Sequence, residues 1–191
     1  MSKTTSIMIV GVGGQGSLLA SKLLGRLLTD EGYDVKVSEV HGMSQRGGSV
    51  VTYVRFGEKV YSPIVTAGEA DFIIAFEKLE AARYAPFLKS DGRIIVNTQQ
   101  IDPMPVIIGA AEYPTDVLSE LSDKGLKVEA LDALTPAIEA GSSKAVNIVL
   151  MGRFAKYFDI PKEKWIAAIE NTVNPKFVVM YKKAFELGYN S

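Results

Sequence analysis

The stretch Ile-Met-Ile-Val-Gly-Val-Gly-Gly-Gln-Gly, Ile7 to Gly16, constrains the fold more than any other part of the chain. Its apolar half reads as a strand covered on both faces, and its second half runs through glycines straight into a helix. Gly11, Gly13 and Gly16 stand at the spacing of a dinucleotide-binding turn: one glycine allows the tight turn, one lets a ligand approach the backbone, and one lets helix and strand pack closely. Such a helix start presents unpaired N–H groups and a positive dipole end, which suits a phosphate or another anion. Many doubly wound domains use the same glycines only to turn the chain.

After the turn, Leu19, Ala20, Leu23, Leu24, Leu27 and Leu28 form one apolar stripe, predicting a helix that ends near Gly32. Gly25 inside it marks close contact with another element, since glycine is costly in a helix interior. Asp34 to Glu39 is a second strand, with Glu39 near its carboxyl end, where an acid in a dinucleotide-binding fold holds a ribose hydroxyl. Ser49 to Phe56 alternates as a strand does, and Lys59 to Ser62 is expected to pair back on it as a hairpin before Pro63. Two strands in succession without a helix between them suggest that one pairs antiparallel at an edge or leaves the main sheet.

Phe72 to Phe76 and Arg93 to Asn97 read as further strands, with Glu77 to Tyr84 as the helix between them. Val106 to Gly109, among prolines, reads as a short strand or an extended loop. Thr115 to Lys124 is a helix and Leu126 to Leu131 a strand. The last third is helical: Thr135 to Ala140, Ser143 to Phe158, a helix opened by Pro161, and a final one opened by Asn174 and Pro175 and stopped at Gly188. The expectation is an α/β chain, a Rossmann-like open mixed sheet, mostly parallel, with helices on both faces and a helical C-terminal third. At 191 residues it is expected to form one domain over 1–191.

A formal net charge of −1 argues against a general electrostatic grip on nucleic acid or an anionic membrane, so any anion site must be local. No apolar run approaches the length of a membrane span, and a cytoplasmic location is expected. Cysteine is absent and His41 is the single histidine, which removes disulfides, a cysteine nucleophile and iron–sulfur ligation by this chain. Any electron carrier must therefore be supplied by something else.

The most informative loop is His41 to Gly48. Gly42, Gly47 and Gly48 permit backbone conformations that gather N–H groups around a bound group, Ser44 and Gln45 offer hydrogen bonds, and Arg46 offers a charged fork. The loop follows a strand's carboxyl end, the edge where open α/β sheets place ligands, and the first glycine turn lies at that same edge. Two such loops facing one crevice make an anion-binding cleft. The bland alternative is a rigid turn whose arginine pairs with an internal acid.

With both loops in view, Gly11-Val-Gly-Gly-Gln-Gly16 and Glu39-Val-His-Gly-Met-Ser-Gln-Arg-Gly-Gly-Ser49, together with Ser143-Lys-Ala-Val-Asn-Ile-Val-Leu-Met-Gly152, the chain resembles the gamma-type subunit of 2-oxoacid:ferredoxin oxidoreductases. Within that family its likeness is greatest to the small beta subunit of the indolepyruvate enzymes. The resemblance implies oxidative decarboxylation of a 2-oxoacid to an acyl-CoA, carbon dioxide and reduced ferredoxin. It implies thiamine diphosphate and iron–sulfur clusters on a larger partner subunit, coenzyme A as co-substrate, ferredoxin as an indirect partner, and no activity of this chain alone.

On this reading Gly11, Gly13, Gly14, Gln15 and Gly16, with Ser44, Gln45, Arg46, Gly47 and Gly48, bind a phosphate-bearing group or dock against the subunit that holds it. His41 is the one candidate for a proton carrier or substrate contact, although a lone loop histidine commonly serves structure. A stand-alone NAD-binding oxidoreductase is the rival, supported by the Gly11 to Gly16 spacing and Glu39. It lacks an evident substrate domain and a clear catalytic set.

Overall fold

A computed structural model describes residues 4–41 and 48–191. The first strand, β1 (Thr5–Val12), runs into helix α1 (Ser17–Asp30), followed by β2 (Asp34–His41), β3 (Ser49–Gly57) and β4 (Ala70–Ala75). Helix α2 (Lys78–Tyr84) leads to β5 (Leu88–Asn97), two short helices α3 (Met104–Ile107) and α4 (Val117–Asp123), and β6 (Lys127–Leu131). Helices α5 (Leu134–Ala140), α6 (Val146–Ala155), α7 (Lys162–Thr172) and α8 (Val178–Asn190) complete the described residues.

The strands form one sheet in the order β2-β3-β1-β4-β5-β6. β1, β4, β5 and β6 are parallel neighbours, whereas β3 is antiparallel to both β1 and β2. The consecutive strands β2 and β3 thus pair antiparallel as expected, with β2 at the edge, but the strand that is reversed in the sheet, β3, lies between β1 and β2. The carboxyl ends of β1, β2, β4, β5 and β6 and the amino end of β3 consequently share one rim.

β1 is apolar on both sides because both sides are covered. Ile7 and Ile9 enter one core with Leu23, Leu24, Leu27 and Leu28 of α1, while Met8 and Val10 enter the other with Ala81 of α2 and Val117 and Leu121 of α4. The stripe on α1 is buried as its spacing predicts, and Gly32, at φ 87°, closes the helix with its N–H on the Thr29 carbonyl at 3.0 Å. Gly25 faces Val37 of β2, whose Cγ2 stands 3.7 Å from where a β-carbon would be, an ordinary contact.

The C-terminal helices extend the core on the α1 face, where Phe154, Trp165, Ile169 and Phe185 are wholly buried in one cluster with Ile7, Ile9 and the α1 leucines. Trp165 stacks on Phe185 at 5.9 Å between ring centres and meets Phe154 edge-on at 6.3 Å.

Four expectations are corrected. Lys59 to Ser62 forms no strand: the Val60 N–H goes to the Asp34 carboxylate at 3.0 Å, and Arg55 Nη1 donates to the Ile64 carbonyl at 2.7 Å, so side chains take the bonds a hairpin ladder needs. Val106 falls in α3 rather than a strand, because Pro105 is well placed in a first helical turn, Pro103 caps that turn in an extended conformation, and the Val106 and Ile107 N–H groups reach back to the Pro103 carbonyl at 2.9 and 3.1 Å. Ser143 to Phe158 is a single 3-10 turn over Ser143–Ala145, then α6, which stops at Ala155.

Gly188 does not end the last helix. It lies inside α8, where a β-carbon would stand 1.9 Å from the Val149 carbonyl oxygen of α6, and one on Gly152 would stand 2.2 Å from the Phe185 carbonyl oxygen. Both glycines are there so that two helix backbones can touch.

These two uses of glycine separate under mutation. Gly188→Ala is expected to destabilise the chain by about 3 kcal/mol, through overpacking against backbone. Gly25→Ala is expected to be neutral or stabilising by up to about 1 kcal/mol, as helix propensity dictates. Urea unfolding of both variants checks the contrast.

Candidate functional site at the strand rim

The rim begins where β1 ends. The ladder pairs Val12 with Ser49, and one step beyond it the Gly13 N–H donates to the Gly48 carbonyl at 2.9 Å. The two glycine-bearing loops therefore meet. His41 closes β2 opposite Val50. Ser44, Gln45, Arg46 and Gly47 lie outside the described residues.

Within the first turn the five predicted residues divide by role. Gly11 faces inward: a β-carbon there would meet Gln15 Oε1 at 2.8 Å and Phe76 Cβ at 3.1 Å. Gln15 folds back over the strand ends, accepting from the Val12 N–H at 2.7 Å and donating from Nε2 to the Phe76 carbonyl at 3.1 Å. Gly14, at φ 98°, has open space where a β-carbon would stand. Gly16, at φ 87°, caps α1 and sits under Asn147, whose Nδ2 donates to its carbonyl at 3.1 Å.

Asn147 is a rim residue that sequence reasoning passed over. It is buried in the first turn of α6, with Oδ1 accepting the Ile148 N–H at 2.8 Å, and it joins the helical third to the glycine turn. An asparagine inside the apolar run Ala-Val-Asn-Ile-Val was the available signal, since a polar side chain on a buried helix face must find an internal partner.

Buried acids brace the rim from α2. Glu77 caps that helix through the Glu80 N–H at 3.0 Å, accepts from the Ile101 N–H at 3.2 Å, and takes the Tyr113 hydroxyl. Burial, and then the bond to Glu77, push the Tyr113 phenol well above its ordinary range, so it remains a donor. Glu80 accepts the Ser49 hydroxyl and Arg83 Nε, holding the first residue of β3 directly after the second glycine loop.

Two hollows open on either side of Gly14. The first, about 340 Å³, is walled by Gly13, Gly16, Ser17 and Leu18 of the turn and α1, with Glu39 and Val50 across from them. Glu39 Oε2 is buried there without a hydrogen-bond partner among the described residues. The second, about 170 Å³, lies between Gln15, Gln99, Ile101, Leu134, Ser143 and Lys144. A larger cleft of about 390 Å³ runs between α2 and α4, lined mainly by Ala82, Pro86, Val117 and Leu121. The charged side chains on its wall, Glu120 and Lys124, pair with each other at 4.0 Å, and the cleft stands away from the glycine turn, so the rim is the stronger candidate site.

Among the described residues no cluster of three or more His, Asp or Glu side chains is arranged to hold a metal ion, and no helix is long and apolar enough to cross a membrane.

Residues 6–191 match the model of the family described as pyruvate ferredoxin/flavodoxin oxidoreductase. The chain belongs to that family. It is 45% identical to an indolepyruvate oxidoreductase subunit IorB of Thermococcus kodakarensis, across 97% of this chain and 95% of the relative. It is 28% identical to a pyruvate/ketoisovalerate oxidoreductases common subunit gamma of Pyrococcus abyssi, across 87% and 83%. Among solved structures, pyruvate oxidoreductase subunit PORC of Thermotoga maritima has the same fold, with a TM-score of 0.74 at 20% identity over 99% of this chain and 97% of that one. A 2-oxoglutarate:ferredoxin oxidoreductase from Magnetococcus marinus contains the fold as 31% of a longer chain, with a TM-score of 0.75 at 17% identity over 100% of this chain.

In this family member the tie from α6 to the turn is testable by itself. Asn147→Ala is expected to cost about 1–3 kcal/mol by leaving the Ile148 N–H without its partner. Asn147→Asp is expected to cost more, because it sets a buried carboxylate against the Gly16 carbonyl. Chemical denaturation of the two variants measures both.

Proposed function

We propose that this chain is the small subunit of a 2-oxoacid:ferredoxin oxidoreductase, joining a larger subunit that carries thiamine diphosphate and iron–sulfur clusters, and that the 2-oxoacid is an aryl pyruvate such as indolepyruvate. The observation that carries this reading is the 45% identity, end to end, with a subunit named for indolepyruvate oxidation. A sequence with no cysteine fits the division of labour, because cluster ligation requires thiolates this chain cannot offer. The partner's cofactor would supply the carbanion chemistry of decarboxylation and the route for electrons.

What this chain supplies is the rim. Gly13 and Gly48 are held together, Gly14 is open to a ligand, and Gly16, at φ 87°, turns the chain into α1. On this reading the rim takes a phosphate-bearing group, with coenzyme A as the co-substrate it suits, and Ser44, Gln45, Arg46 and Gly47 complete it from the second loop. His41 remains a candidate proton carrier at the end of β2. The chain alone is not expected to turn over substrate, and a cytoplasmic location and one domain over 1–191 accompany the proposal.

One observation favours a second reading, an NAD-binding oxidoreductase: Glu39 lines the hollow at the glycine turn with an unpartnered oxygen, as a ribose-holding acid would. Against it, β3 separates β1 from β2, whereas the dinucleotide-binding order sets those two strands side by side.

Gentle purification of the chain from its native cell is expected to bring down a larger, cysteine-rich, thiamine-binding protein; its absence would contradict the assignment. In the assembled complex, Arg46→Ala is expected to raise the coenzyme A concentration needed for half-maximal rate by about tenfold, as loss of one charge-assisted contact does. Saturable NADH binding by the isolated chain would favour the rival.

A further inference from the structure

We infer that the smaller hollow, between Gln99, Ser143 and Lys144, is an oxyanion subsite, taking a phosphate or carboxylate group, and that Lys144 is its charge. The inference rests on the rim being the working edge of the subunit and goes beyond it by naming which side of Gly14 takes negative charge.

Three side-chain amides have their orientations fixed in turn. The Val12 N–H binds Gln15 Oε1, so Gln15 presents Nε2 to the Phe76 carbonyl and to Gln99 Oε1 at 3.5 Å. The Ala133 N–H binds Asn97 Oδ1 at 3.0 Å, so Asn97 presents Nδ2 to the Phe76 carbonyl and to the same Gln99 Oε1 at 3.3 Å. With two donors on its carbonyl, Gln99 is left with its NH2 group as the free end, and among the described residues that group has no acceptor. Gln99 lies on the wall of the hollow, beside Gly14, Ser143 and Lys144.

The remaining polar groups on the wall are donors or can donate. Lys144 carries the positive charge and, among the described residues, forms no ion pair; Ser143 brings a hydroxyl, and Gly14 has open space in front of it. Among the described residues no carboxylate lines this hollow, whereas the larger hollow beyond Gly14 contains Glu39 with its unpartnered oxygen. The two sides of the turn thus have opposite polarity. An anion placed beside Glu39 meets like charge, while one placed beside Lys144 meets an ammonium group and an amide already aimed outward. The volume of about 170 Å³ holds one compact oxyanion rather than a whole cofactor.

The test is an NMR titration of the full-length, isotopically labelled chain with inorganic phosphate in one arm and acetate in the other, following backbone amides. Focused, saturable shifts at Gly14, Gln99, Ser143 and Lys144 are expected. Saturation at lower phosphate than acetate assigns the group to a phosphate ester, and the reverse order assigns it to an oxoacid carboxylate.

Lys144→Ala is expected to weaken binding about tenfold, as loss of a charged hydrogen-bond donor does, and Lys144→Arg to retain most of it. Gln99→Glu, which keeps a carbonyl-like acceptor for Gln15 and Asn97 but sets negative charge on the wall, is expected to abolish binding. The inference is overturned by an unchanged affinity in Lys144→Ala, by shifts centred on Ser17 and Leu18, or by weak shifts scattered over surface lysines, which mean an adventitious ion only. Because the titration uses the chain without a partner, failure to recover a larger subunit leaves its result standing, and a negative titration leaves the family assignment standing.

Discussion

The hydrogen bond from the Gly13 N–H to the Gly48 carbonyl, 2.9 Å long, is the constraint on which the rim depends. It extends the β1–β3 ladder one step past the last paired residues, Val12 and Ser49, and so sets two loops that are distant in sequence at one place. That geometry follows from β3 being reversed and inserted between β1 and β2. Had β2 lain beside β1, Gly48 at the start of β3 would stand a strand further from Gly13, by about 5 Å. The insertion therefore creates the shared rim and also sets the sheet apart from the dinucleotide-binding order that the Gly11 to Gly16 spacing suggests.

The helical third holds this rim as much as the sheet does. α6 packs so tightly on α8 that Gly152 and Gly188 are needed at the crossing, and its first turn delivers Asn147 to the Gly16 carbonyl. The same turn brings Ser143 and Lys144 to the far side of Gly14. Packing in the C-terminal core is thereby coupled to the geometry of the glycine turn. Four helices where two sheet faces need fewer are explained by that duty: they bury Trp165 and Phe185 among themselves and hold one end of α6 at the site.

The strands and the long amphipathic helices were legible in the sequence because their signal is local. Ile7 to Val10 is apolar on both faces, and the α1 leucines repeat with the helix period, so burial could be read from spacing alone. Val106 and Gly188 were misread for the opposite reason. A proline pair can start a helix or extend a loop, and a glycine near a helix end marks a stop or a contact according to what lies across from it. At Gly188 that neighbour is the Val149 backbone, about forty residues away in sequence. The site was half legible: glycines announce unusual turns by their identity, and their meeting at one rim followed from strand direction. Asn147 carried a signal, a polar side chain in an apolar helical run, whereas Gln99 and Glu80 were invisible as site residues because their roles come from hydrogen bonds to Gln15 and Ser49, which no spacing rule encodes.

Amide hydrogen exchange at Gly13 tests the central claim most directly, since that N–H is protected only if the two glycine loops are joined as described. The account predicts that it exchanges slowly under native conditions, with protection approaching that of the β1 ladder amides. Exchange as fast as that of an exposed loop amide would mean that the loops are not held together, and the shared rim would be contradicted.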